Sequence, residues 1–325
     1  MKVRRRVMLG FVLAALLTGC TDTRAPVAAP SLKAPTPLPA APQLPPRSPF
    51  TGLPTDLAAP VLAVKIDNVA PARPQTGTTA ADLVYVEPVE GGLTRLLAVF
   101  QSRIPPVIGP VRSVRETDLQ LLARLSAPAL AFSGEAPELR PLLAGAPVVD
   151  VSASAVPAAY YRDRDRPSPH NVYARTAALS GGGPPCDVGF RFGPLPADGR
   201  ATVHVTVGYP SASIAVDWVA AERRWLFGVD GAPLLATEGG RPGAATVVLQ
   251  QVVVRDTAIR DAAGNPSPFA ESVGRGTAVV LRDGQAFDGT WSRPSPDAPT
   301  TFTRPDGTPL TFATGPVWVL LLPAE

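Results

Sequence analysis

The second half of this 325-residue chain constrains the fold most. From residue 201 onward no apolar spacing of the helical kind survives. What remains is a series of short β-type runs at 203–207, 214–219, 224–229, 245–255, 277–282, 285–291, 300–304 and 317–322. Asp230-Gly231, Asp283-Gly284 and Asp306-Gly307 separate several of them. Such pairs tolerate the left-handed backbone that tight hairpin turns require. Short runs joined by tight turns predict a mostly antiparallel β domain over 200–325, built as a sandwich or a small barrel.

The preceding segment reads differently. Strand-type runs at 61–67, 83–89 and 93–100 come first, the last two separated by a turn at Glu90-Gly91-Gly92. Gly109-Pro110 stops the chain. Ser113 followed by Glu116 fits a capping box for a helix that buries Leu119, Leu122 and Leu125 and ends at Pro128. A strand at 128–134, a short helix at 137–143 and a strand at 147–153 then form a strand–helix–strand unit, which predicts a parallel pair with a right-handed crossover. A further short helix is expected at 174–179, and a domain boundary near 181–200. The fold class is therefore α+β: a mixed α/β domain over 50–190, followed by the β domain over 200–325.

The N-terminus sets the compartment. Lys2, Arg4, Arg5 and Arg6 precede an apolar stretch at 7–17, of signal-peptide length and too short for a typical membrane span. It ends in Leu17-Thr18-Gly19-Cys20. This resembles the bacterial lipobox, in which the cysteine is acylated and becomes the first residue of the mature chain. Residues 1–19 are expected to be a lipoprotein signal peptide. Cys20 is the expected lipidation site, with palmitate-type chains anchoring the protein to the cell membrane on its extracytoplasmic side. Residues 21–49 hold nine prolines, six alanines and no aromatic residue. A stretch of that composition forms no core, so 20–49 is expected to serve as an extended tether.

Charge and rare residues exclude several classes. The net charge is +3, and four of the basic residues lie in the signal segment. A nucleic-acid partner therefore has no support, because phosphate-backbone binding needs a clustered positive face. The two histidines, His170 and His204, lack metal-site spacing, and no phosphate loop is present. No metal and no cofactor are expected. Cys186, the only thiol besides Cys20, lies in a Gly-Pro-rich loop without an assigned base and reads as inert.

Polar residues gather at the ends of the expected elements in the α/β segment. Asp67 and Asn68 follow a strand, and Arg73 lies in the next loop. Glu87 and Glu90 flank the hairpin turn, with Arg95 just beyond. Arg112 and Arg115 open the helix, and His170 and Asn171 lie in the loop Arg-Asp-Arg-Pro-Ser-Pro-His-Asn-Val-Tyr at 164–173. Ligands of α/β folds collect beyond the carboxyl ends of parallel strands, so these residues are expected to line a polar ligand groove. Arg112 and Arg115 suit a carboxylate or phosphate, or form internal salt bridges to Glu87, Glu90 or Asp118. His170 is either a general base for Ser133 or Cys186, or a latch in a loop stiffened by Pro167 and Pro169. Trp291 and Arg293 are expected at a loop rim suited to stacking on sugar or peptide, with Trp218, Trp225 and Trp318 in the core.

The runs Lys-Ile-Asp-Asn at 65–68, Ala-Arg-Pro-Gln-Thr-Gly at 72–77, 87–100, 109–118 and 166–173 resemble the N-terminal part of the YerB-like lipoprotein family, defined by the DUF3048 domain. The runs 261–268 and 276–295 resemble its C-terminal domain. The resemblance implies an envelope-exposed bacterial lipoprotein and supplies no established reaction. The residues lead to a membrane-anchored, non-catalytic binding or scaffold protein for a peptidoglycan fragment, other wall material or an envelope protein partner. The alternative is a cell-wall hydrolase using His170 or Glu90 as general base.

Overall fold

The computed structural model describes residues 45–261 and 263–324. The expected signal peptide, Cys20 and most of the proline-rich stretch lie outside the described residues. In the first half the apolar runs form β1 (Leu62–Asp67), β2 (Leu83–Pro88), β3 (Thr94–Phe100) and β4 (Val107–Ile108). Then follow α1 (Glu116–Leu122), β5 (Ala129–Ala131), α2 (Arg140–Gly145), β6 (Val149–Asp150), β7 (Tyr160–Arg162) and β8 (Val172–Arg175). β2 and β3 pair antiparallel across the Glu90–Gly92 turn. Gly92 is needed there: its φ is +71°, and a Cβ would lie 2.6 Å from Pro210. β5 pairs parallel with β6, as the strand–helix–strand pattern predicts, and β1 also pairs parallel with β5.

Two local expectations give way. The helix begins two residues later than the Ser113/Glu116 box implies, with Arg115 at the N-cap and Asp118 accepting from the Arg115 amide at 2.6 Å. Asp118 wins because its other oxygen is fixed by a buried lysine described below. The helix expected at 174–179 is the end of β8 followed by a 3₁₀ turn at Thr176–Ala178. β8 pairs with both β4 and β7, and that pairing takes up its backbone groups.

The second half contributes β9 (Arg200–Ala201), β10 (His204–Tyr209), β11 (Ala212–Val219), β12 (Arg224–Val229), β13 (Ala232–Pro233), β14 (Gly243–Ala244) and β15 (Thr246–Val252). β16 (Val254–Arg260), β17 (Pro266–Ala270), β18 (Gly274–Arg282), β19 (Gln285–Arg293), β20 (Thr301–Thr303) and β21 (Val317–Pro323) complete it. The run expected as one strand at 245–255 breaks at Val253, which is exposed, into β15 and β16. β16 leaves the main sheet and pairs with β17.

The main sheet runs β20-β19-β18-β15-β21-β2-β3-β1-β5-β6, with β9 on β19. β21 lies parallel to both β15 and β2, so the last strand joins the two halves of the chain into one sheet. This parallel centre departs from the antiparallel pattern expected of the second half. The tight turns report only neighbouring strands and carry no information about where β21 inserts. The chain is predominantly β with short helices. A smaller sheet, β10-β11-β12-β13 with β14 on β12, packs against one face of the main sheet. There Phe227 stacks on Trp318 with centroids 3.9 Å apart, beside Ile66, Val86 and Leu96. The other face carries Leu83, Leu97, Val99 and Phe312 with Leu119 and Leu122 of α1. Burying each such aliphatic side chain contributes about 1.5–3 kcal/mol.

Candidate functional site

Strand register assembles the polar end of the sheet. Asp67 lies opposite Arg95, and Arg95 opposite Glu87, forming one row across β1, β3 and β2. Directly opposed residues share a face, and Lys65, two positions before Asp67, shares it too. Asp67 is at the carboxyl end of β1, beside the loop that leaves β5.

Three ionic groups fill this end. Lys65 Nζ lies 2.7 Å from Asp118 Oδ1 and 2.9 Å from Glu87 Oε2, and all three side chains are wholly shielded. Asp118 is satisfied by Lys65 and the Arg115 amide, whereas Glu87 is poorly aligned with its lysine. Burial, and next the Asp118 carboxylate, push the Glu87 carboxyl well above its usual range, against the pull of Lys65. One ammonium in a dry site fully compensates only one carboxylate, so the ionised form of the second is disfavoured.

Glu90 forms the second group with Arg115 as a two-point fork, Nε to Oε1 at 2.5 Å and Nη2 to Oε2 at 2.8 Å. Burial alone would raise the Glu90 carboxyl. The Arg115 fork, with the Ser267 hydroxyl from β17 and the Arg95 charge, outweighs it and holds the group below its usual range. Both Glu90 oxygens are committed to the Arg115 fork.

The third group centres on Asp67, whose Oδ2 lies 2.7 Å from His170 Nδ1 and 3.0 Å from Arg112 Nε. Asp67 is buried, while the His170 and Arg112 side chains keep 20 % and 19 % exposure. Between the groups sits Arg95. Its nearest carboxylate oxygen, on Glu90, is 3.9 Å away, and it makes a long 3.4 Å contact to the Ser113 carbonyl. Burial, and then the like charges of Arg115 and Arg112, push the Arg95 guanidinium down to about 10.

Asp67, Glu87, Glu90, Arg95, Arg112, Arg115 and His170 therefore converge, but as an ion-pair network and not as an open groove. The remaining expected groove residues do other work. Asn68 is buried, donating to Thr94 Oγ1 and accepting from Gln75 Nε2. Arg73 reaches away to Asp230 and the Val229 carbonyl, tying its loop to the smaller sheet. Asn171 accepts from Arg162 and donates to the Asp163 and Arg166 carbonyls. With the His170 amide bonded to the Pro167 carbonyl, these contacts build an ordered latch, and Arg166 clamps it to the Ala72 and Pro74 carbonyls.

Other expectations resolve simply. Trp291 and Arg293 are buried and not at a rim. Trp291 donates to the Gln251 carbonyl, and Arg293 spans Ser272, Gln120, Pro296 and Ala298, pinning the second half against α1. Trp225 and Trp318 are core, with Trp218 packed beside them. His204 is exposed and pairs with Asp217. The Cys186 thiol donates to the Arg124 carbonyl at 2.8 Å. Among the described residues no three His, Cys, Asp or Glu side chains are grouped to hold a metal ion.

Lys65 and Asp118 are absent from the groove expected from sequence. A single lysine inside the apolar run Val-Leu-Ala-Val-Lys-Ile-Asp was the available signal, since a buried lysine needs a carboxylate partner.

Comparison with known proteins is consistent with this architecture. Residues 50–184 match the family model described as "Protein of unknown function (DUF3048) N-terminal domain", and residues 205–319 match its C-terminal domain. A curated relative, "Putative lipoprotein YerB" of Bacillus subtilis (strain 168), is 47% identical over 74 residues, 22% of each chain. That alignment spans about a fifth of the curated relative's length. The crystal structure of the YerB protein from Bacillus subtilis superposes with a TM-score of 0.72 at 21% identity, covering 86% of this chain and 97% of that one. At that identity the likeness is one of fold.

Proposed function

This chain belongs to the DUF3048 family of YerB-like lipoproteins, and we propose that it is an extracytoplasmic, membrane-anchored binding protein whose ligand presents carboxylates, as peptidoglycan stem peptides do. The supporting observation is Arg95. It is a buried guanidinium flanked by two other arginines and left 3.9 Å from its nearest carboxylate. Leaving such a charge under-compensated costs stability, and an arriving anion relieves it. Arg112 and Arg115 keep 19 % and 11 % exposure and supply planar donor forks that match a carboxylate. Glu90 then acts as the resident counter-ion, displaced in part by the ligand.

Titration calorimetry with a wall stem peptide at low salt tests the binding reading. Arg112→Gln and Arg115→Gln are each expected to weaken binding about tenfold, the scale of one charge-assisted fork. Unchanged affinity in both variants rejects it. The anchor is tested separately: Cys20→Ser is expected to shift the protein from the detergent to the aqueous phase.

A second reading rests on the Asp67–His170 pair. A buried carboxylate on Nδ1 leaves Nε2 as the free face of the ring, the arrangement of a general base. On that reading the protein hydrolyses wall material, and His170→Ala abolishes turnover while sparing the melting temperature. A lowered melting temperature with stem-peptide binding retained assigns His170 to the latch.

A further inference from the structure

A second cationic site lies on a different part of the molecule. A cleft of about 720 Å³ opens between the segment at Arg47–Gly52, the loop at Phe192–Gly193 and the turn at Asp283. Three guanidinium groups, Arg47, Arg223 and Arg282, face it with one carboxylate, Asp283. Arg282 is 4% exposed. Its Nη1 donates to the Gly193, Pro194 and Thr311 carbonyls and to Thr311 Oγ1, and its Nε donates to Asp283. Nη2 has no hydrogen-bond partner among the described residues, so a buried, immobilised guanidinium keeps a donor edge unused.

The other charges are also under-compensated. Arg223 is 82% exposed and reaches Asp283 only at 3.6 Å. Its φ of +51° holds it in a left-handed turn that aims the residue at the cleft. Arg47 spends Nη1 on the Gly52 carbonyl and pairs with no carboxylate among the described residues. One wall is the Phe192 ring, fixed edge-on against Phe312. Gly52 passes over that ring so closely that a Cβ would lie 2.5 Å from it, so the cleft edge depends on glycine.

We propose that this cleft binds a phosphate group, free or esterified. Arg282 supplies a preorganised donor, Arg223 and Arg47 close on the anion, and Phe192 forms the wall against which an ester group packs. Two sources share that chemistry, a phospholipid headgroup diester and free phosphate. The inference does not depend on the carboxylate site at Arg95.

The test is calorimetry at low salt on the full chain carrying Cys20→Ser, with glycerophosphoglycerol and inorganic phosphate as probes. One equivalent of either probe is expected to bind. Arg223→Gln, at an exposed position, is expected to weaken binding about tenfold without moving the melting temperature. Arg282→Lys keeps the charge, loses the fork and is expected to weaken it similarly. Arg115→Gln, at the other site, is expected to leave it unchanged. Tighter binding of the diester identifies the headgroup source, and equal or tighter binding of inorganic phosphate identifies the free anion. Binding of neither probe, or binding indifferent to both Arg223→Gln and Arg282→Lys, overturns the proposal.

Discussion

Lys65 Nζ stands between Glu87 and Asp118, 2.9 Å from one and 2.7 Å from the other, with no side chain of the three touching solvent. One positive charge serves two acids, so burial, and next the Asp118 carboxylate, push the Glu87 carboxyl well above its usual range. A carboxyl whose folded pKa lies above its unfolded value stabilises the fold at low pH, and that stability is lost as pH rises through the folded pKa. Glu87→Gln keeps the shape and removes the titration. It is expected to melt higher than wild type at pH 8, by about 2–4 °C per kcal/mol regained, and to match it near pH 5. Melting curves across that range check the crossover.

Glu90 behaves in the opposite sense. Its folded pKa is depressed, so the fork to Arg115 contributes stability above the unfolded carboxyl value and loses it as pH falls through the folded one. Glu90→Gln is expected to cost about 1.5–3 kcal/mol at neutral pH and to flatten the acid limb of the stability profile. Denaturant midpoints at pH 7 and pH 3 measure both effects.

Arg95 separates stability from binding. Arg95→Met removes a buried, under-paired charge and keeps much of the packing volume. It is expected to leave the melting temperature unchanged or raise it, the usual result of replacing a buried ion by an apolar side chain. The same variant is expected to lose affinity for the carboxylate ligand. A scan and a titration on one sample decide the point.

Asp67 holds both His170 and Arg112. Asp67→Asn leaves Arg112 without a carboxylate and turns the histidine ring free, and is expected to destabilise the protein by about 3 kcal/mol. If Asp67 were dispensable to the latch, proteolysis within 160–175 would proceed no faster in the variant. Faster cleavage there is the expected result.

Local chemistry explains how much of this was legible in the sequence. The Glu90-Gly91-Gly92 turn and the parallel pairing of β5 and β6 follow from turn residues and alternation of element types. The convergence of Asp67, Glu87 and Arg95 follows from their positions at strand ends. Long-range placement was not legible. The insertion of β21 between β15 and β2 is set by two strands that lie far from it in sequence. Whether Trp291 and Arg293 face solvent depends on α1 and the Gln251 carbonyl across the sheet, so a hairpin position alone misleads. Arg73 and Asn171 look like site residues because they are polar and lie in loops. Their partners, Asp230 and Arg162, appear only once the loops are folded.

The central claim is that the arginines at the sheet end bind a carboxylate. The most direct measurement is the affinity of the wild-type protein for a wall stem peptide with free carboxylates against the same peptide fully amidated. Binding of the free acid at low salt, weakened by added salt and reduced at least tenfold by amidation, is the predicted result. Equal binding of the two peptides, or binding of neither, contradicts it.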